Sequence, residues 1–233
     1  MTTGPSVIAH RGVHTAAREN TMEAFALAVA AGADMIELDV RRTGDGRLAI
    51  LHDPGHAGVA LATGSLDAFA DRTGLRPPLL DDVLDWAAGR IALDVELKED
   101  GYVEEIAPLL ERFTAAGGEL LVTSFLDPPL AKLAALAPTL RLGLLLEITA
   151  RWAPRRARAA GARVVLPSMG LVRESLLDAV TGAGLDLIVW DFMAADHGSL
   201  LSDARVAGVI TDDVPGALAA RAALAGRAAE PAP

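Results

Sequence analysis

Short apolar runs rich in β-branched residues alternate with Ala- and Leu-rich stretches of helical period along the whole chain. That alternation predicts βα units around a parallel sheet. Nine runs have strand character: 6–10, 35–40, 48–52, 91–97, 120–124, 142–147, 163–167, 187–190 and 208–211. The link between the second and third, "RRTGDG", is too short for a parallel crossover, and its Asp45-Gly46 is a hairpin signal. The run at 48–52 is therefore expected to return antiparallel. The remaining eight strands, each followed by a helical stretch, predict a (β/α)₈ TIM barrel with one extra antiparallel strand after barrel strand 2 and a short insertion at 53–77. No Gly-rich phosphate loop follows any strand, which disfavours an open doubly wound sheet. Residues 1–225 are expected to form one domain, and 226–233, "GRAAEPAP", a flexible tail.

In such a barrel the chemistry lies at the C-terminal ends of the strands. Those ends carry His10, Glu37 and Asp39, Glu96 and Lys98, then Ser124, Glu147, Ser168, Trp190 and Thr211. Side chains two apart share a face, so Glu37 and Asp39 point the same way, as do Asp94, Glu96 and Lys98. The hairpin register brings His52 close to the level of Glu37 and Asp39. Three carboxylates, two histidines and a lysine converge at one mouth. Clustered carboxylates repel and raise one another's pKa, whereas a divalent cation keeps them ionised. Oxygen ligands suit one hard ion, Mg²⁺, Ca²⁺ or Mn²⁺. The competing expectation is a structural ion-pair network in which Lys98, Arg41 or Arg42 neutralise the acids.

Composition narrows the partners. With 31 acidic against 21 basic residues the net charge is -10, which opposes binding to nucleic acid or an anionic membrane. A small-molecule substrate is expected, with no nucleic acid and no stable membrane insertion. The chain has no cysteine, which excludes disulfides, thiolate metal sites and a cysteine nucleophile. The N-terminal stretch lacks signal-peptide character and no apolar run reaches spanning length, so a cytoplasmic location is expected.

The ordered motifs "AHRG" (9–12), "ENT" (19–21), "GADMIELDV" (32–40), "HD" (52–53), "PLLDDVL" (78–84), "VELK" (95–98), "SF" (124–125) and "GVITDDVP" (208–215) resemble those of the glycerophosphodiester phosphodiesterases. The resemblance implies a phospholipase C-like phosphodiesterase barrel that uses a divalent cation to hydrolyse glycerophosphodiesters to glycerol 3-phosphate and an alcohol. It also implies Glu37, Asp39 and Glu96 as metal ligands, His10 and His52 as the acid–base pair, and Arg11 and Lys98 as phosphate ligands. Trp190 is either barrel packing or a substrate contact. The chain departs from the family pattern in four places: Arg18 replaces the proline before E-N-T, Gly44 stands where lysine is common, the 53–77 segment lacks R-T-T-x-G and is short for the family's substrate-covering insertion, and W-T-V-N becomes Trp190-Asp191-Phe192-Met193. An activity of lysophospholipase D or sphingomyelinase D type is the alternative, and a non-catalytic phosphate-binding barrel the second.

Other polar residues have plainer expectations. Asn20 with Glu23 reads as a helix-capping pair, and Asp212 with Asp213 as a helix start. Asp94, one pleat below Glu96, is expected either to support the site or to pair internally. His14, His56 and His197 are expected to be solvated, and the run "RWAPRRARAAGAR" (151–163) to be a solvated helix face, with a docking surface the alternative.

Overall fold

A computed structural model describes residues 4–228. The chain runs β1 (Ser6–His10), α1 (Met22–Ala31), β2 (Met35–Arg42), β3 (Leu48–Ile50), β4 (Gly55–His56), β5 (Val59–Ala60), α2 (Leu66–Thr73), α3 (Leu80–Ala87), β6 (Ala92–Leu97) and α4 (Val103–Ala115). It continues as β7 (Leu120–Ser124), α5 (Asp127–Leu136), β8 (Arg141–Leu146), α6 (Ala153–Ala159), β9 (Val164–Pro167), α7 (Glu174–Gly182), β10 (Asp186–Val189), α8 (Ala194–His197), β11 (Gly208–Thr211) and α9 (Val214–Ala228). Parallel pairing passes from β1 through β2, β6, β7, β8, β9, β10 and β11 and returns to β1, closing the expected eight-stranded barrel. α9 occupies 214–228, and the rest of the expected tail lies outside the described residues. No helix among the described residues is long and apolar enough to cross a membrane.

The period-two pattern sorts the strand residues into two apolar layers. Ile36, Leu38 and Val40 of β2, with Leu93, Val95 and Leu97 of β6, are buried in the layer shared with the helices. Ile8, Leu121, Leu145, Val164, Leu166, Ile188 and Ile210 fill the barrel interior. Each such aliphatic side chain contributes roughly 1.5–3 kcal/mol, and this apolar shell offsets the cost of the charges placed above it.

The extra strand lies where the hairpin signal puts it. β3 pairs antiparallel with β2, Val40 opposite Ile50 and Arg42 opposite Leu48, so β2 extends two residues beyond its expected end. β3 itself stops at Ile50, which leaves His52 outside the ladder. The 53–77 insertion forms the β4–β5 hairpin and α2, with a small core of Ala49, Leu51, Leu61, Leu66 and Phe69. This packing accounts for Gly44. A Cβ there would meet Gly64 N at 2.6 Å and Ala62 O at 2.7 Å, so the turn admits no lysine.

Tyr102, wholly buried at the start of α4, donates its hydroxyl to the carbonyl of Val40 at 2.7 Å. It thereby ties α4 to the end of β2. That carbonyl has a second, longer donor in Lys98 N at 3.3 Å. Tyr102→Phe is therefore expected to cost about 1 kcal/mol and to lower Tm by about 2–4 °C in thermal unfolding.

Candidate active site

The β2–β6 register places Glu37 beside Asp94 and Asp39 beside Glu96. All four carboxylates are buried, on inward positions that alternate with the helix-facing apolar residues. Asp94 accepts from the Thr123 hydroxyl at 2.8 Å, and burial still pushes its carboxyl up to about 8. Burial, then Asp39, raises Glu96 to about 7. Burial, with Asp39, Glu96 and Asp94 around it, holds Glu37 well above the carboxylate range. Asp39 is the exception: burial opposes its charge, but Lys98, Arg11 and Asn20 together pull it below its ordinary value.

Two cations enter the cluster. Lys98 Nζ lies 2.8 Å from Glu96 Oε1 and 3.2 Å from Asp39 Oδ1, and Arg11 Nε 3.1 Å from Asp39 Oδ2. The ion-pair expectation therefore holds for Lys98, although it also lines the cavity. It fails for Arg41 and Arg42, which pair with Glu99 and Glu105. Arg41 is held away from the trio because its Nε donates to the carbonyl of His52 at 2.7 Å, pinning the hairpin end.

Four carboxylates facing two cations leave an excess of two negative charges when all are ionised. Glu37 Oε1 is buried without a hydrogen-bond donor, and one oxygen from each of Glu37, Asp39 and Glu96 lies within 4.8 Å of the others. An orphaned buried oxygen and three converging carboxylates fit a hard divalent cation.

Arg11 follows β1 with a left-handed φ of 55°, and Gly12 follows at 82°. Strand alternation would turn Arg11 away from His10. The left-handed turn instead brings its N–H to Glu37 Oε2 at 3.0 Å and its guanidinium to Glu19 at 3.0 Å. Glycine at 12 is obligatory, since a Cβ would lie 2.7 Å from the Ala24 backbone.

His10 and His52 both line a cavity of about 350 Å³ with Glu37 and Glu96, a size for a small molecule. Each imidazole is held through Nδ1, His10 by Asp212 Oδ1 at 2.7 Å and His52 by Asp53 Oδ1 at 2.9 Å. Ionised carboxylates only accept, so Nδ1 donates and a neutral ring keeps its Nε2 lone pair free. Trp190 is both packing and lining: its indole donates to Leu166 O at 3.0 Å, its ring meets Phe125 edge-on at 5.6 Å, and it borders the cavity.

Several expectations are corrected, that for Asp212 by the barrel's closure. Asp212 is not part of the helix start; Asp213 alone caps α9, accepting from Gly216 N at 3.0 Å. Because Ala9 sits opposite Thr211, the next residues along, His10 and Asp212, become neighbours. His14 is not free in solvent, its Nε2 being 3.2 Å from the same Asp212 oxygen. His197 is half-buried against Phe192 and His56 lies within β4. Asn20 does not cap α1, since Thr21 does so. Asn20, with φ 57°, donates to Asp39 Oδ2 at 2.7 Å. Ser124 and Thr211 turn their hydroxyls to backbone carbonyls. Glu147 and Asp191 line the cavity as well. For Asp212 a usable signal existed, because closure of a barrel always pairs its first and last strands.

Comparison with known proteins places these motifs. The family model for the glycerophosphoryl diester phosphodiesterase family matches residues 10–63 and 90–215. A glycerophosphodiester phosphodiesterase of Bacillus altitudinis is 34% identical over 161 residues, covering 60% of this chain. The chain spans 65% of that relative's length. A crystal structure of glycerophosphodiester phosphodiesterase from Agrobacterium tumefaciens superposes with a TM-score of 0.78 at 25% identity, covering 92% of this chain and 99% of that one. A phosphodiesterase of Oleispira antarctica, solved with the product sn-glycerol-3-phosphate, shares the fold at a TM-score of 0.80 and 21% identity, covering 93% and 96% of the two chains.

Proposed function

The chain belongs to the glycerophosphoryl diester phosphodiesterase family, and on that premise we propose that it hydrolyses glycerophosphodiesters to glycerol 3-phosphate and an alcohol with the help of one divalent cation. The observation that carries this reading is the convergence on one cavity of two carboxylate-oriented imidazoles with Glu37 and Glu96, behind which Asp39 brings a third carboxylate oxygen within 4.8 Å of theirs.

Glu37, Asp39 and Glu96 would hold the cation, Mg²⁺, Ca²⁺ or Mn²⁺, which supplies Lewis-acid stabilisation of charge on the phosphoryl oxygens. Arg11 and Lys98 add positive charge at the same wall of the cavity and bind the phosphate. With Nδ1 of each ring engaged, His10 and His52 keep Nε2 for chemistry in the cavity both residues line. One takes a proton from the attacking oxygen while the other protonates the leaving alkoxide. Asp212 and Asp53 fix the tautomer and aim of each ring. Trp190 borders the space left for the substrate. Asp212→Asn is accordingly expected to lower kcat by about tenfold to a hundredfold with little change in KM, measured by steady-state kinetics.

The test of the whole reading is glycerol 3-phosphate release from a panel of glycerophosphodiesters, in chelator and after adding back each cation. Turnover that ignores chelator, or no release from any member with any ion, would overturn it.

A second reading, a lysophospholipid substrate cut in the manner of a phospholipase D, is favoured by one observation. The loop leaving β8 carries Glu147 at the cavity and next to it Ile148, 87% exposed, and Trp152, 62% exposed. Arg151 stacks over the Trp152 ring at 5.3 Å. Apolar and cationic side chains at the mouth suit a lipid surface. Lysophospholipid micelles in the same panel, with lysophosphatidate as product, separate the two, and Trp152→Ser should depress only the lipid activity.

A further inference from the structure

His10 lines the cavity, but the two groups gathered at its Nδ1, His14 and Asp212, do not. Their donor atoms nevertheless converge: His10 Nδ1 at 2.7 Å and His14 Nε2 at 3.2 Å from the same Asp212 oxygen, all three within 4.8 Å of one another. We propose that these three residues form a second metal site, distinct from the carboxylate trio, that takes Zn²⁺ and switches turnover off.

The donor sets divide the ions between the two places. Three carboxylates favour hard Mg²⁺ or Ca²⁺, whereas two imidazoles and one carboxylate are the set zinc prefers, with water in the fourth tetrahedral position. Zinc–ligand bonds of about 2.0–2.2 Å separate tetrahedral donors by about 3.3 Å. The His14–Asp212 distance already has that value, and the His10–Asp212 distance needs to open by about half an ångström. The side chains of His10, His14 and Asp212 are 27%, 28% and 57% exposed, which gives an ion an entry path.

The left-handed residues Arg11 and Gly12 turn the chain as it leaves β1, ahead of His14.

The consequence for turnover follows from imidazole chemistry. In the zinc-free site the neutral ring of His10 holds its proton on Nδ1, donated to Asp212, and keeps a lone pair on Nε2. Zinc takes the Nδ1 lone pair, so the proton moves to Nε2 and none is released. His14 balances in the same way, its proton passing from Nε2 to Nδ1. With zinc bound, Nε2 of His10 carries a proton and no lone pair, and the ring cannot also become an imidazolium. It can no longer act as a base, and as an acid it is far weaker than the imidazolium it replaces. Zinc binding rests on no assumption about turnover, whereas the inhibition rests on the acid–base role proposed for His10.

The experiment titrates Zn²⁺ into magnesium-saturated protein by calorimetry and follows glycerol 3-phosphate release in parallel, for wild type, His14→Ala and His14→Gln. Wild type should bind one zinc per chain and lose turnover by about a hundredfold at saturation. Both variants should keep zinc-free turnover, bind zinc about tenfold or more weakly and escape inhibition over the same range. Co²⁺ should give a visible ligand-field band in wild type that both variants lose. Zinc affinity and inhibition unchanged in the variants would locate zinc at the carboxylate trio and overturn the proposal. So would the absence of zinc binding in magnesium excess. If wild type shows no turnover with any hard cation, it is the hydrolase reading that fails, and the calorimetric and Co²⁺ arms still decide the site.

Discussion

His10→Ala and His52→Ala are each expected to lower kcat by about 10²–10⁴-fold, and the double variant by little more than the worse single one. The magnitude is that of a positioned general acid or base. The shortfall from additivity follows because the two rings would act in one proton-transfer sequence, so that losing either disables the unit. Both imidazoles line the cavity at intermediate burial, and neither belongs to an apolar core cluster. The variants should therefore unfold near the wild-type temperature and keep their thermal response to Mg²⁺ or Ca²⁺. Steady-state kinetics beside thermal unfolding separates these quantities. A double variant that retains wild-type turnover would remove both residues from the chemistry.

Divalent cations should raise the unfolding temperature, and Glu37→Gln should reverse its effect according to whether the ion is present. An ion at about a hundred times its Kd stabilises the folded chain by about 2.7 kcal/mol, roughly 5–10 °C for a domain of this length. In chelator, Glu37→Gln removes a repelling carboxylate whose Oε1 has no donor, so it should be neutral or stabilising. With Mg²⁺ or Ca²⁺ it removes a ligand, and most of the thermal gain should vanish. The pH dependence has a definite sign. In the ion-free chain, burial and neighbouring acids raise Glu96 from 4.5 to about 7 and Asp94 from 3.8 to about 8. Between those values the folded state binds more protons than the unfolded one, so stability is full in acid and falls as pH rises toward about 8. Asp39, held low by Lys98 and Arg11, contributes in the opposite sense, below pH 3.8. A saturating ion should flatten the decline. Scanning calorimetry against pH, with and without chelator, measures both effects. Equal destabilisation by Glu37→Gln in the two conditions, with no thermal gain from any ion, would show the trio to be an ion-pair network.

What the sequence by itself determined is whatever follows from local periodicity. The alternation of "MIELDV" and "IALDVELK" put Glu37, Asp39, Asp94 and Glu96 on inward faces. Asp45-Gly46 and the short link around it turned the third strand back. The spacing of strands and helices was enough for the eight-stranded barrel, because a parallel crossover needs a length that every other link supplies.

Only the tertiary structure decided what those residues meet. Asp212 looked like a helix start until β11 closed onto β1 and set it against His10 and His14. Asn20 looked like a cap until its left-handed backbone turned it onto Asp39. Lys98 and Arg41 were interchangeable as partners for the trio; the hairpin settled the matter by holding Arg41 to the His52 carbonyl and leaving Lys98 inside. The reason is geometric. Side-chain direction along a strand repeats every two residues and can be counted, whereas hydrogen bonds between groups as far apart as His10 and Asp212 also depend on the register at which the barrel closes and on left-handed turns, which no local pattern encodes.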